Sequence, residues 1–354
     1  MGICVPHKDR ATLPKVPLPG PGRTAHRRAP VVLLVLASVL LAHGSAVRAA
    51  PAAPTTAPAR QDDVSAPTTP RPERHLRPVR LGLLGVTTAG LHYIGFRYFD
   101  HSWYEDQTRQ DHIRWIYDWD GDTYLNMDKG AHFMSGMVMA QSVSQALVWG
   151  GLGTRTAAVA GTAASWAFLL EIEMRDAHYA DWGFSVPDFT ANTIGASVPL
   201  LHTLVPATRV VTFKFSYHPS DLYLDHDERS VQHRPHIDHL IDDYEGMAFW
   251  MSLSVEDVLP RQAARYWPGF LGLAVGRGAT GLHGGNVKSK GPERPYKDLP
   301  DARPEYFVSL DYDARHLPGS GGVWSFLRER LNWVHFPAPA VRVYPSWRFY
   351  LLYM

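Results

Sequence analysis

Asp128-Lys129-Gly130-Ala131-His132 opens the stretch that decides the fold. Asp181-Trp182-Gly183-Phe184-Ser185-Val186-Pro187-Asp188, followed by Asn192-Thr193-Ile194-Gly195-Ala196, closes it. Between them the chain runs through small and apolar residues as far as Glu171. Polar groups therefore recur at the ends of apolar segments. Asp128 and His132 lie four apart, as do Asp188 and Asn192, so within a helix each pair shares one face. Packed helices with such ends can build a single polar site.

The apolar segments His132–Trp149, Thr156–Ile172 and Val186–Leu204 run about seventeen to nineteen residues each, at the low end of what spans a bilayer as a helix. Small residues recur at every fourth position in Gly136, Ala140, Ser144 and again in Ala157, Gly161, Ser165, a spacing that lets helix backbones approach closely. Upstream, Leu81 to Tyr98 carries no formal charge apart from Arg97 and is a further helix candidate; its His92 reads as a hydrogen-bonded core histidine. The pattern predicts helices near 81–98, 132–149, 156–174 and 186–204. The connection 99–131 is strongly acidic, contrary to the positive-inside bias of a simple inner-membrane topology.

The opening Asp-Lys-x-x-His, the mid-segment Glu171, the Trp182-Gly183-Phe184-Ser185 turn and the Asp188-x-x-x-Asn192-x-x-Gly195-Ala196 close resemble the YfiM-type family of predicted periplasmic lipoproteins of unknown function. The stretch is more loosely similar to the VanZ-like membrane proteins, which share these elements without the Trp-Gly-Phe-Ser turn. The resemblance implies an envelope protein and supplies no reaction. Cys4, the only cysteine, precedes the targeting segment, so no cysteine stands at the cleavage site to accept a lipid, a departure from the lipoprotein label.

A chain of 354 residues can bury a substantial core. The formal net charge of +1, with no sustained basic face after the targeting segment, argues against nucleic acid as partner. Arg23, Arg27 and Arg28 precede the apolar run Val31 to Leu41, and Val47-Arg48-Ala49-Ala50 offers small residues to a signal peptidase. Residues 1–49 therefore read as a signal peptide. The Pro-, Ala- and Thr-rich stretch 50–78 reads as a linker that cannot bury enough to offset its ordering entropy. Beyond the signal no cysteine is left for a disulfide, a thiolate metal site or a nucleophile.

After Pro206 the period changes. Val211, Phe213, Phe215 and Tyr217 alternate with Thr212, Lys214 and Ser216, a strand with one apolar face, and similar runs appear at Met247–Ser254, Phe270–Val275, Tyr306–Tyr312 and Val341–Tyr353. Five or six runs fall short of a closed outer-membrane barrel, so a small sheet against the helices or on a membrane surface is expected. His233, His236 and His239 stand at three-residue steps and could bind zinc or nickel, but Arg229, Arg234 and Pro235 among them favour a solvated loop. Asp118, Asp120 and Asp122 have calcium-loop spacing, yet Thr123 and Lys129 stand where glycine and glutamate are needed, so a solvated turn is expected. Gly276 to Lys290 is glycine-rich without a phosphate-loop frame and reads as a flexible loop.

The expected fold is α+β: a bundle of about four short apolar helices (79–206) followed by a small antiparallel β-rich half (207–354). Simple structural roles exist for single residues. Ser185-x-x-Asp188 is a capping box, Glu171 has Arg175 four residues on, and Asn126 or Asp128 can cap the His132 helix. Charges at the ends of weakly polar helices are nonetheless costly unless paired, so Asp128, Lys129, His132, Glu171, Asp188 and Asn192 are expected to converge. Two function classes follow. The favoured one is a structural or binding module of the envelope, with membrane lipids and other envelope proteins as partners and no cofactor or metal. The alternative is acid/base chemistry on a lipid-linked or cell-wall substrate by His132 with Glu171 or Asp188, Lys129 stabilising negative charge.

Overall fold

The computed structural model describes residues 75–105, 108–121, 123–179, 182–224, 240–282 and 301–354, all within the compact unit His43–Met354. The signal segment, nearly all of the linker, Asp122, His233, His236 and His239 lie outside the described residues, as do residues 283–290 of the glycine-rich segment, whose start, expected as loop, is instead strand as far as Thr280 because it pairs with neighbours on both sides. Among the described residues four long helices are present: α1 (Pro78–Phe99), α2 (Met127–Trp149), α3 (Thr154–Asp176) and α4 (Val186–Leu204). Helix α2 begins ahead of the apolar pattern that predicts it because Met127 is itself a core residue, packed with Ala279, Leu282 and Ala302. Among the described residues, α3 is the one helix long and apolar enough to cross a membrane.

Helices α2, α3 and α4 meet along the small-residue stripes. Gly136, Ala140, Ala157, Gly161, Ser165, Gly195 and Ala196 are all buried. A Cβ on Gly195 would stand 2.0 Å from the Phe133 carbonyl oxygen, so only glycine lets α4 lie this close to α2. Ser165 Oγ donates to the Gly136 carbonyl at 2.9 Å and Thr162 Oγ1 to that of Ala196 at 3.0 Å, satisfying hydroxyls that would otherwise be buried unpaired. Helix α1 lies along the side of this trio with no buried residue of its own. Val79, Leu83, Val86 and Tyr93 are exposed. Its His92 is no core histidine: the side chain is 44% exposed and faces Glu171 at 3.6 Å.

A pair of two-residue parallel strands, β1 (Trp115–Ile116) and β2 (Phe184–Ser185), ties the aromatic connection to the start of α4. Gly183 has φ +150, and a Cβ there would come within 2.6 Å of the Ile116 side chain, which is why the Trp-Gly-Phe-Ser turn needs glycine.

The C-terminal half is a six-stranded antiparallel meander of β3 (Val211–Tyr217), β4 (Met247–Leu253), β5 (Leu271–Thr280), β6 (Arg303–Tyr312), β7 (Ala338–Tyr344) and β8 (Arg348–Tyr353). The single run expected over Val341–Tyr353 is thus a hairpin, broken where Pro345 cannot donate to a ladder. A helix, α5 (Gly322–Leu331), precedes β7. The segment after it joins the free edge of β3: Phe215 N donates to Trp333 O and His335 N to Phe215 O, both at 2.9 Å.

The two faces of this sheet differ in chemistry, and the more apolar one is the more exposed. One cross-strand row reads Phe213, Met251, Val275, Val308, Val341 and Phe349. Helix α2 covers only its β3–β4 end, where Phe133 meets Phe213 and Phe249 packs beside Met127 and Met134. Farther along, Met251, Val275, Val308 and Phe349 are 47–65% exposed. The opposite face is buried and holds glycines, alanines, serines and aromatics together with the ion pairs Lys214–Asp311 and Arg342–Glu305. Lys214 Nζ lies 2.6 Å from Asp311 Oδ2, both side chains fully buried, and donates to the Tyr312 carbonyl. Ser252 Oγ donates to the same carboxylate, and His335 stacks on Trp250 at 3.8 Å.

Candidate functional site

Lys129 is the centre of the polar cluster. It sits in the first turn of α2, on a chain that enters the helix through three consecutive left-handed residues, Tyr124, Leu125 and Asn126 (φ 47, 54 and 59). Such conformations cost non-glycine residues roughly 1–3 kcal/mol each unless their surroundings hold them. Here Arg277 donates to the Leu125 carbonyl and the Tyr124 ring packs on Tyr244 at 4.5 Å. The result aims Lys129 Nζ at Asp118 (2.5 Å), Asp128 (2.8 Å) and Asp188 (3.3 Å). Burial pulls the ammonium pKa down, but Asp128 and Asp188 outweigh it and hold Lys129 above its ordinary range. Burial, reinforced by Asp188, pushes Asp128 up; Asp118 ends below its usual range because the Lys129 hydrogen bond overrides its desolvation.

One helical turn on, His132 faces α3 and α4. Its Nδ1 is 3.1 Å from Asn192 Oδ1 and 3.6 Å from Glu173 Oε1, and its Nε2 is 4.0 Å from Asp188 Oδ2. Asn192 Nδ2 donates to Glu173 Oε1 at 3.2 Å, and Ser185 N donates to Glu173 Oε2 at 3.3 Å. Glu173 is 1% exposed; burial first, then Asp188 and Asp176, push its carboxyl up to about 9. Burial also carries Asp176, which accepts a hydrogen bond from Tyr104, up to about 6.

The capping box forms by half. Ser185 Oγ accepts from Asp188 N at 3.2 Å, but Glu173, not Asp188, takes the Ser185 amide. The Asp188 carboxylate is thereby left for Lys129 and His132. Neither Asn126 nor Asp128 caps α2 through its side chain in the expected way; Asp128 Oδ1 accepts from the adjacent Lys129 N at 2.9 Å.

Of the residues the sequence picks out, Asp128, Lys129, His132, Asp188 and Asn192 come together and Glu171 does not. Glu171 points outward to His92, and its expected partner Arg175 instead meets Asp100 at 3.1 Å and lies over the Phe96 ring. Glu173 takes the place assigned to Glu171, because two residues along a helix turn a side chain by about 200°. Asp118, expected on a solvated turn, is also a member; the β1–β2 pairing brings it to Ser185, whose Oγ donates to its Oδ1 at 2.9 Å.

Residues 117–203 match the model of a protein family. Its description is "Predicted periplasmic lipoprotein (DUF2279)". The matched span contains every member of the cluster, from Asp118 to Asn192, and ends before the sheet. No curated protein and no solved structure matches the chain. The family match supports an exported protein on the periplasmic side of the cell envelope. Within the matched span the chemistry on offer is a fixed lysine among carboxylates and a histidine whose side chain is 24% exposed beside a buried glutamate.

Proposed function

We propose that this is a membrane-associated envelope module that rests on lipid through the outer face of its sheet. The observation that carries this reading is the contrast between the two sheet faces: small, polar and aromatic side chains are enclosed, while Met251, Leu273, Val275, Val308, Phe349 and Leu351 stand 42–71% exposed. Lipid-facing strands show this pattern, apolar outward and polar inward, and an apolar surface of this extent is otherwise a liability in water. The exposed apolar residues of α1 add to it. The motif resemblance to YfiM-type and VanZ-like envelope proteins points the same way.

The test is flotation of the full chain with vesicles of phosphatidylethanolamine and phosphatidylglycerol. The wild type should float. Val275→Asp, Val308→Asp and Phe349→Asp together should weaken partitioning on the order of a hundredfold, from about 1 kcal/mol or more of apolar burial lost at each, with little loss of stability because all three side chains are exposed. A wild type that stays at the bottom of the gradient, or that hides this face in a stable dimer, would sink the reading.

A second reading is favoured by His132 itself, which is partly open to solvent with Glu173 and Asp188 behind it. In this reading His132 exchanges protons with a lipid-linked or cell-wall substrate, Glu173 backs it as a neutral acid, and Lys129 stabilises negative charge. Its premise is that Glu173 is protonated at neutral pH. A carboxyl raised to about 9 in the fold, against an ordinary value of 4.5, keeps a proton that the unfolded chain has released. The stabilisation is therefore fully present below pH 4.5 and is lost as pH rises through 9, a fall of a few kcal/mol in all, with a slope of up to about 1.4 kcal/mol per pH unit. Urea unfolding in EDTA between pH 5 and 9 should show that decline, and Glu173→Gln should flatten it. A wild-type stability that holds level or rises over this interval would remove the premise.

A further inference from the structure

We propose that His132, Glu173 and Asp188 form a binding site for a divalent cation of the zinc and manganese class. One ring nitrogen of His132, one oxygen of Glu173 and one of Asp188 lie within 4.8 Å of one another. A mixed nitrogen and oxygen donor set suits zinc, manganese or iron(II) better than calcium, whose ligands are all oxygen.

A second trio, Asp118, Asp128 and Asp188, meets the same spacing. The Lys129 ammonium already occupies its centre, at 2.5, 2.8 and 3.3 Å from the three carboxylates, so the cation position there is filled by the protein itself. Glu173 has no such partner; among the described residues no lysine or arginine forms an ion pair with it.

Asp188 belongs to both trios, and its two oxygens divide between them. The residue is nine-tenths buried; its Oδ1 receives no hydrogen bond, although Lys129 Nζ is 3.3 Å away. Its Oδ2 faces His132 Nε2 across 4.0 Å, too far for a hydrogen bond. That gap is close to the ~3–4 Å that separates two ligands of one ion at metal–ligand distances near 2.1 Å. On the other side of the imidazole, Nδ1–H donates to Asn192 Oδ1 at 3.1 Å, which presents the Nε2 lone pair toward Asp188. Asn192, itself fully buried and anchored on Glu173, orients the histidine as outer-shell groups do around metal-binding imidazoles. The exposed quarter of the His132 side chain gives an ion its way in.

This site stands independently of the lipid reading. The full chain, stripped with EDTA and dialysed, is titrated with Zn2+, Mn2+ and Co2+, the last read by its visible absorption. One ion should bind per chain. His132→Gln and Glu173→Gln should each weaken binding by about a hundredfold or more, with circular dichroism confirming the fold; either folded variant suffices. The proposal is overturned if the wild type binds no ion, if affinity is unchanged in the folded variants, or if binding disappears instead on replacing His233, His236 and His239.

Discussion

Replacing Lys129 by methionine is expected to lower stability by about 3–5 kcal/mol, since breaking a buried ion pair from one side leaves uncompensated charge. The side chain is only 10% exposed, and the carboxylates that lose it, Asp118, Asp128 and Asp188, are 9–18% exposed, so water cannot replace the ammonium. The three would also repel one another. If this account is right, Lys129→Met should unfold at distinctly lower urea concentration than the wild type, and adding Asp128→Asn and Asp188→Asn should restore part of the loss. A deficit below about 1 kcal/mol would mean that the cluster behaves like a solvated surface network, and the convergence of helix ends would then have no energetic weight.

A second large effect is expected inside the sheet. Lys214 and Asp311 face one another with both side chains closed to solvent, 2.6 Å apart on the buried face. Desolvation lowers the Lys214 pKa, with Asp311 opposing the shift, and desolvation also lowers that of His335, which lies 4.0 Å from Asp311. Lys214→Met alone should cost about 3–5 kcal/mol because Asp311 would remain buried without its partner. Lys214→Met combined with Asp311→Leu should recover most of that, since apolar replacement of a whole buried pair is often neutral or stabilising. Thermal unfolding of the two single variants and the double variant closes the cycle. Additive losses, with no recovery in the double variant, would show that the pair is not coupled and that the enclosed face does not exclude water from it.

Lys214 also marks where reading the sequence reached its limit. The alternation of Val211, Phe213, Phe215 and Tyr217 with Thr212, Lys214 and Ser216 identifies the strand and its period. It does not say which set faces inward. A polar set is taken as solvent-facing by default, yet the structure buries Lys214 and Ser216 and leaves Val275, Val308 and Phe349 47–65% exposed. The sign of the pattern depends on what lies across each face, and that is decided by strands and segments far away in the chain, down to Trp333–His335.

Glu173 teaches a related lesson, with the difference that its signal was present. The small-residue stripe Ala157, Gly161, Ser165 continues at the same four-residue step to Leu169 and Glu173, all of them buried, whereas Glu171 lies off that line. Following the stripe to the end of its helix would have selected the right glutamate. Asp118 carried no comparable mark, because its place beside Lys129 depends on the parallel pairing of Trp115–Ile116 with Phe184–Ser185, strands too short to show a period.

What the sequence determined by itself was therefore local and periodic: four helices, the antiparallel strands, the close approach of backbones at Gly136 and Gly161, and the gathering of Asp128, Lys129, His132, Asp188 and Asn192, because helix ends in adjacent antiparallel segments have few places to go. Only the tertiary structure decided which glutamate joins them, that Asp118 completes the lysine's cage, and that the sheet turns its aliphatic side outward. Those outcomes turn on the rotation of one element about its axis relative to another, a quantity that side-chain spacing constrains only when the partner surface is already known.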